Sequence, residues 1–480
     1  MDTPSTPRPD IDAILNPRSI AVVGASTSPD KQGHTYVRGL REFGFQGPVY
    51  PVNPKAEEIA GYGCYPSLKD VPGPVDYVIS ALPAPLLPRL MEDARGKGIK
   101  GIHLFTARMA EMGTEKGLAL EDSIIRSARG LGARIIGPNC MGLYNPGRGV
   151  SFRLNFPKRA GGVGFISQSG GNTVEFVYRA SLRGVFFSKA VSYGNAADLN
   201  ETDLLEYFTH DPETSIIACY IEGTRGGPRF FEALSRAASS KPVVVLKGGR
   251  GEAGTRAVAS HTASLAGSTQ IWRSAVTQAG AIWAETMEEM TDIAVALRYM
   301  TRPRGRRVGI ICGGGGNTVH SADLCEAAGL AVAPLPDSVR SGFKEHLPDT
   351  WFHTNNPFDL SGIMSSDDYG MTMPMAVRLM AESGAFDFVL IDPDVDFHLE
   401  QPEARGRVFR LMGLLTNISR EIDIPVAMII RPGDAMEEWR WRTVTELQQM
   451  AWEAGAPVFP SMPRAAACIA KLLAGPGPVR

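Results

Sequence analysis

The stretch Ile166-Ser167-Gln168-Ser169-Gly170-Gly171-Asn172-Thr173-Val174 decides the fold class, and it recurs as Ile311-Cys312-Gly313-Gly314-Gly315-Gly316-Asn317-Thr318-Val319. Each copy follows an apolar run of strand character, Gly162 to Ile166 and Arg307 to Ile311, and precedes a segment that reads as a helix. A strand, a glycine turn and a helix start bring backbone N–H groups together at a point that favours an anion. Either copy alone serves equally well as an ordinary tight turn. The shared Gly-Gly-Asn-Thr-Val points to duplication, and two such turns suggest two related domains aimed at one phosphate.

Working outward, the chain reads as three α/β blocks. The first has strands expected at Ser19 to Val23, Val49 to Val52, Tyr77 to Ala81, Gly101 to Phe105 and Arg134 to Ile136. The second has them near Gly162 to Ile166, Phe187 to Val191, Ile216 to Ile221 and Val243 to Leu246, and the third near Val308 to Ile311, Phe388 to Ile391 and Val426 to Ile430. Helical stretches alternate with these runs, which implies parallel sheets with crossovers. The Pro/Gly cluster from Pro138 to Gly149 and the polar Thr301 to Arg307 mark boundaries, giving expected domains 1–148, 149–302 and 303–480.

Composition narrows the class. A chain of 480 residues with 44% hydrophobic and 21% charged residues has material for several globular cores. A net charge of −2, with both signs dispersed, gives no footprint for nucleic acid or an anionic membrane. Six cysteines without CxxC spacing argue against a zinc site or disulfide framework and for a reducing, cytoplasmic setting. The start of the chain is polar and proline-rich, and no apolar run is long enough to span a bilayer.

Two loops carry chemistry. Gly24-Ala25-Ser26-Thr27-Ser28-Pro29-Asp30-Lys31-Gln32-Gly33 follows the first strand but lacks the strict GxGxxG spacing. After the second strand stands Val52-Asn53-Pro54-Lys55, where an NAD enzyme usually places an acidic residue. A lysine there suits a phosphorylated adenosine ligand, or is simply a solvated surface residue. In the second block, His261 sits among small and hydroxylated residues in Ala259-Ser260-His261-Thr262-Ala263-Ser264, after the glycine-rich Lys247 to Gly254. An imidazole with room around it is a candidate phosphoryl acceptor or general base; a lone loop histidine also serves as a plain polar surface residue.

Taken in order, SIAVVGAS (19–26), VYPVNPK (49–55), IIGPNCMGL (135–143), FISQSGG (165–171), FSKAVSYGNAADL (187–199), YIEG (220–223), VVLKGGRGEAGTRAVASHTASLAGS (244–268) and NPFDL (356–360) resemble the NDP-forming acyl-CoA synthetases, related to ADP-forming acetyl-CoA synthetase and succinyl-CoA synthetase. The resemblance runs from Ile11 to about Lys471. It implies an α/β chain with a Rossmann-like CoA-binding domain followed by two flavodoxin-like parallel-sheet ligase domains. The implied reaction passes phosphate from NTP to a histidine and on to a carboxylate, and CoA then displaces it from the acyl phosphate.

Residue by residue, the resemblance matches His261 to the phosphorylated histidine and Glu222 to the glutamate that orients it, a role for which capping of the strand end is the plain alternative. It places Ser169, Gly170, Gly315 and Gly316 at two helix starts facing the phosphate, and Ser26, Lys31, Gln32, Gly33 and Lys55 around the CoA nucleotide. Asn139, with Cys140, falls near the thiol arm or acyl group. No metal ligands are expected. Where relatives often read S-A-G-F, this chain has Phe105-Thr106-Ala107-Arg108, and Ala263 and Ser264 stand where H-T-G-A-L-A-G is common. Trp351, Phe352 and Phe358 fit an acyl pocket, although core packing accounts for them better.

No P-loop or ATP-grasp region is found in these 480 residues. The expectation is therefore an alpha-type subunit that takes a carboxylic acid and coenzyme A, receives ATP and Mg2+ through a separate ATP-grasp beta-type subunit, and works as an oligomer. The alternatives are a non-ligating CoA-binding protein or a related acyl or carbamoyl transferase on the same domains. The presence of both His261 and Glu222 favours the ligase.

Overall fold

A computed structural model describes residues 11–262, 268–346, 355–361, 369–431 and 437–475. Three sheets organise the chain. The first contains β1 (Ile20–Val23), β2 (Val49–Val52), β5 (Tyr77–Ser80), β6 (Gly101–Leu104) and β7 (Arg134–Ile136) in the order β2-β1-β5-β6-β7, all parallel. A short antiparallel pair, β3 (Glu58–Ile59) and β4 (Tyr62–Gly63), branches off after β2. Helices α1 (Ile11–Leu15), α2 (Gln32–Glu42), α3 (Leu87–Asp93) and α4 (Glu115–Gly130) accompany this sheet. The central strands β1, β5 and β6 are buried along their length, as a sheet covered on both faces requires.

The second sheet has the order β13-β12-β11-β9-β10-β8. Its strands are β8 (Gly142–Tyr144), β9 (Val163–Ser167), β10 (Phe187–Ser192), β11 (Ile216–Ile221), β12 (Val243–Lys247) and β13 (Ile282–Ala284). Helices α5 (Gly170–Ser181), α6 (Glu201–His210), α7 (Gly227–Ser240), α8 (Glu252–Thr262) and α9 (Thr269–Gln278) follow in turn. Strand β8 lies within the Pro138 to Gly149 stretch and pairs antiparallel with β10, Leu143 opposite Val191. Three residues are too few to show an alternating pattern, so this edge strand exists only because β10 offers it a partner. Phe165, Phe176 and Phe187 fill the core beneath, with ring centroids 4.6 and 5.5 Å apart along the series.

The third sheet, β15-β14-β16-β17-β18, is parallel throughout: β14 (Val308–Cys312), β15 (Phe358–Asp359), β16 (Phe388–Asp392), β17 (Val426–Ile429) and β18 (Val458–Phe459). Helix α10 (Met287–Tyr299) precedes it and α11 (Gly315–Ala327) follows β14. Phe358 is fully buried and stacks on Phe343 at 4.4 Å, so it belongs to the core; Trp351 and Phe352 lie outside the described residues. No described helix is long and apolar enough to cross a membrane.

The chain forms two compact units: the part up to Ser181 together with Phe186–Met287, and Leu182–Val185 together with Glu288 onward. The first unit therefore holds the first two sheets. Asp198, in the link from β10 to α6, joins them: its buried carboxylate accepts from the Ile135 N–H at 2.9 Å, Arg134 Nε at 2.9 Å and Arg129 at 3.0 Å. Asp203 takes the second arm of Arg134 at 3.1 Å. Removing Asp198 would leave Arg134 with Asp203 alone and strand the Ile135 donor in the interior. Asp198→Ala is expected to destabilise the first unit by about 3 kcal/mol, seen as a lowered denaturation midpoint.

Candidate functional site

Each sheet reverses its strand order once, beside β1, β9 and β14, and a crevice opens at the C-terminal ends of the strands at such a point. In the first sheet this crevice is a cleft of about 570 Å3, walled by residues after β1, β2 and β5. Ser26, Lys31, Gln32, Gly33 and Lys55 all line it. Gly24 turns the chain out of β1 at φ +83°, and a Cβ on Gly33 would overlap its carbonyl oxygen. Glycine at 33 thus lets α2 start directly against the turn. Asn53 ties the two loops by donating to the Ala25 carbonyl at 2.8 Å and accepting from the Lys55 N–H at 2.8 Å. Lys31 and Lys55 are exposed at the rim, and Leu68, Leu86 and Leu90 supply apolar wall. Arg89 on α3 adds a third cation that sequence reasoning missed, since a charge within a short helix gives no sign of which cleft it will face.

Asn139 does not line this cleft. It sits between β7 and β8 at φ +58°, its N–H bonded to the Thr106 carbonyl at 2.8 Å and its amide 3.5 Å from Asn195. Asn195 in turn donates to Glu111 at 2.8 Å, in the turn Ala110–Met112. Helix α8, which carries His261, runs beside that same turn. The loops at the C-terminal edge of the first sheet and the histidine helix therefore share one neighbourhood.

The second crevice gathers the ends of β9, β11 and β12. Ser169 Oγ accepts from the Asn172 N–H at 3.2 Å and caps α5, whose first residue, Gly170, admits Met141 so closely that a Cβ would lie 2.6 Å from its Cγ. The Gln168 side-chain oxygen accepts from the N–H groups of Glu222 and Gly223, the latter at 2.9 Å, and locks the turn after β11. Glu222 is buried; its Oε1 accepts from the Tyr220 hydroxyl at 3.3 Å. Its Oε2 finds no partner among the described residues. His261 lies in the last turn of α8, and its side chain lies outside the described residues. Gln168, Tyr220 and Lys247 join Glu222 here. The sequence placed Gln168 and Lys247 in conspicuous motifs but could not show that Gln168 locks the turn carrying Glu222 or that the Lys247 ammonium is buried against the Gly248 carbonyl.

The third crevice, in the second unit, is electrostatically different. Gly314 at φ +86° releases the chain into α11, whose first residues are Gly315 and Gly316. Asp359 approaches Gly315, its Oδ2 3.5 Å from a would-be Cβ, and Asn317 lies 3.5 Å from Asp392. Burial pushes the Asp392 carboxyl up, opposed by Arg431, which binds Asp392 at 2.6 Å and Asp394 at 3.3 Å. Carboxylates beside a helix start compete with an incoming anion, and Arg431 offsets part of that charge. No group of acidic, histidine and cysteine side chains among the described residues is arranged to hold a metal.

The chain matches the CoA binding domain over residues 18–146 and the succinyl-CoA ligase like flavodoxin domain over residues 160–297. It is 38% identical to the alpha subunit of ADP-forming acetate–CoA ligase II of Pyrococcus furiosus over 77% of this chain and 80% of that one. It is 36% identical to the alpha subunit of ligase I of the same organism, over 75% and 78%. Among solved structures, the dinucleotide forming acetyl-coenzyme A synthetase 1 of Ca. Korarchaeum cryptofilum, in complex with phosphate and ADP, superimposes with a TM-score of 0.80 at 32% identity, covering 97% of this chain and 96% of that one. A CoA-binding sheet followed by a flavodoxin-like ligase domain defines a CoA-dependent α/β ligase. The chain belongs to the NDP-forming acyl-CoA ligase family, and is an acid–CoA ligase of the alpha-subunit type.

Gly248 provides a local check on the second crevice. A Cβ there would overlap the Tyr220 hydroxyl and lie 3.2 Å from Glu222 Cγ, whereas at Gly251 it would meet open space. Gly248→Ala should destabilise by about 1–3 kcal/mol in thermal denaturation. Gly251→Ala should stay within about 0.5 kcal/mol of wild type.

Proposed function

We propose that this chain makes an acyl-CoA thioester through a phosphohistidine at His261. The observation that carries the reading is Glu222: a buried carboxylate with one oxygen lacking a partner among the described residues, at the sheet edge from which β12 leads into the histidine helix. A buried acceptor without a donor is costly, and an imidazole N–H is the donor this place suits. Bound to one ring nitrogen, Glu222 sets the tautomer and leaves the other nitrogen free to attack phosphorus. The capped start of α5 at Ser169 and Gly170 offers N–H groups to the phosphoryl oxygens, and Gly315 and Gly316 would offer a second set.

CoA occupies the first cleft, its phosphates toward Lys31 and Lys55 and its adenine along the apolar wall. Asn139, beside the turn that α8 accompanies, stands where the thiol arm and the acyl group would meet. In the forward direction the carboxylate oxygen attacks the phosphorus of phosphohistidine, the N–P bond breaks, and the CoA sulfur then attacks the acyl carbon and expels inorganic phosphate. ATP and Mg2+ act through an ATP-grasp beta-type subunit in an oligomeric, cytoplasmic assembly. The alpha-subunit relatives support this division of labour.

His261→Ala should abolish acyl-CoA formation in an assay with ATP, Mg2+, acetate, CoA and the partner subunit, while CoA affinity stays within about twofold, since the CoA cleft is built from another sheet. Normal turnover by that variant would remove the histidine from the reaction. Lys55→Ala should weaken CoA binding roughly tenfold to a hundredfold by calorimetric titration, the usual loss for one charged hydrogen bond. An unchanged affinity would return Lys55 to the solvent.

A further inference from the structure

Gln168 is a polar side chain to which the relay described above gives no task. It stands between β9 and the start of α5, is 3% exposed, and its backbone N–H bonds to the Tyr220 carbonyl at 3.1 Å. Its side-chain oxygen accepts from two backbone donors, the N–H groups of Glu222 and Gly223. Because both partners are donors, the amide can stand only one way round: oxygen toward the turn after β11, nitrogen at the other corner of the same plane. That nitrogen finds no acceptor among the described residues.

The carboxamide thus spans the ends of β9 and β11, the paired strands at whose ends the second crevice opens. Beside it lies the first turn of α5, where a helix leaves its N–H groups unbonded. A Cβ built on Gly171 would meet only Ser169 Oγ, at 3.8 Å, so the space over that turn is open. The repeat sharpens the point. Gly313 takes the place of Gln168 in the second copy, and strand, turn and helix form there all the same. The turn itself therefore does not call for a glutamine, and the copy that has one is the copy whose sheet carries the histidine helix.

We propose that Gln168 is a catalytic residue of the relay, its amide N–H group donating to a nonbridging oxygen of the phosphoryl group as that group moves between His261 and the acyl oxygen. This role rests on the phosphohistidine reading. In the forward step a carboxylate oxygen of the acid attacks phosphorus, an O–P bond forms, and the N–P bond breaks with its electron pair returning to the ring. The nonbridging oxygens carry negative charge throughout, and a donor already fixed in place stabilises them without reorganising. The other corner of the same amide grips the backbone of Glu222, so one side chain sets the phosphoryl group and the imidazole's holder in register.

The test uses Gln168→Glu, which keeps an oxygen for the two backbone donors and puts a second oxygen where the nitrogen was. Two measurements are made on the full chain: affinity for inorganic phosphate by phosphorus NMR titration, and phosphohistidine formation from radiolabelled acetyl phosphate, corrected against His261→Ala. Affinity and rate should each fall at least roughly tenfold, the usual loss for one charged hydrogen bond. The thermal midpoint should stay within about 2 °C of wild type, whereas Gln168→Leu, which removes the oxygen as well, should lower it further. In a Glu222→Gln background, Gln168→Glu should weaken phosphate binding by the same factor, which separates the lost donor from any effect passed through Glu222. Undiminished phosphate affinity in Gln168→Glu, or a loss that vanishes in the Glu222→Gln background, would overturn the donor role. A midpoint as low as that of Gln168→Leu would overturn the orientation of the amide. If wild type binds phosphate through Gln168 yet forms no phosphohistidine, the relay falls and the phosphate contact stands.

Discussion

Parallel pairing forces every strand of a sheet to end on the same side, and where the strand order reverses, the connecting helices part and leave a crevice. That constraint acts three times in this chain, beside β1, β9 and β14, and every candidate functional residue except Asn139 and His261 sits in or at the rim of one of the three crevices. The chemistry differs because the turns differ. The first crevice is a broad cleft with lysines at its lip and leucines on its wall, suited to a long ligand with an anionic end. The second is polar, its turn after β11 locked by the Gln168 bridge and bearing a buried carboxylate.

Burial is the dominant energetic fact at the second crevice. Glu222 and Lys247 each lose most of their water, and each would cost several kcal/mol alone. Gly248 is what gives Glu222 its place, because any side chain at 248 would collide with Tyr220. Glu222 is held at its backbone by Gln168 and at one carboxylate oxygen by Tyr220, and its other oxygen is able to receive one more donor.

The two Gly-Gly-Asn-Thr-Val turns show how far a repeat can be read. Both start helices after the leading strand of a parallel sheet, as their shared sequence implies. Their surroundings have diverged. The first is capped by Ser169 and covered by Met141, whereas the second has Asp359 and Asp392 as neighbours, with Arg431 balancing them. The backbone dipole is common to both, but side chains from other strands decide the net field at each.

Apolar runs of four to six residues bounded by glycine turns were enough to predict the first sheet strand for strand, since a sheet covered on both faces needs such runs and little else. The motif order was likewise enough to point to the ligase family, because glycines that permit close approach and polar residues at strand ends cannot be varied freely. Short edge strands were not legible: β8, β13, β15 and β18 have two or three residues, and their existence depends on the neighbour that pairs with them. Nor could the sequence show that Asp198 binds Arg134 and Arg129 across two sheets, or that Tyr220 and Glu222 close on Gly248 from the neighbouring strand. Local sequence dictates which backbone conformations are open and which faces are apolar. Which charges share a buried space depends on strand order, and strand order is set only when the whole sheet assembles.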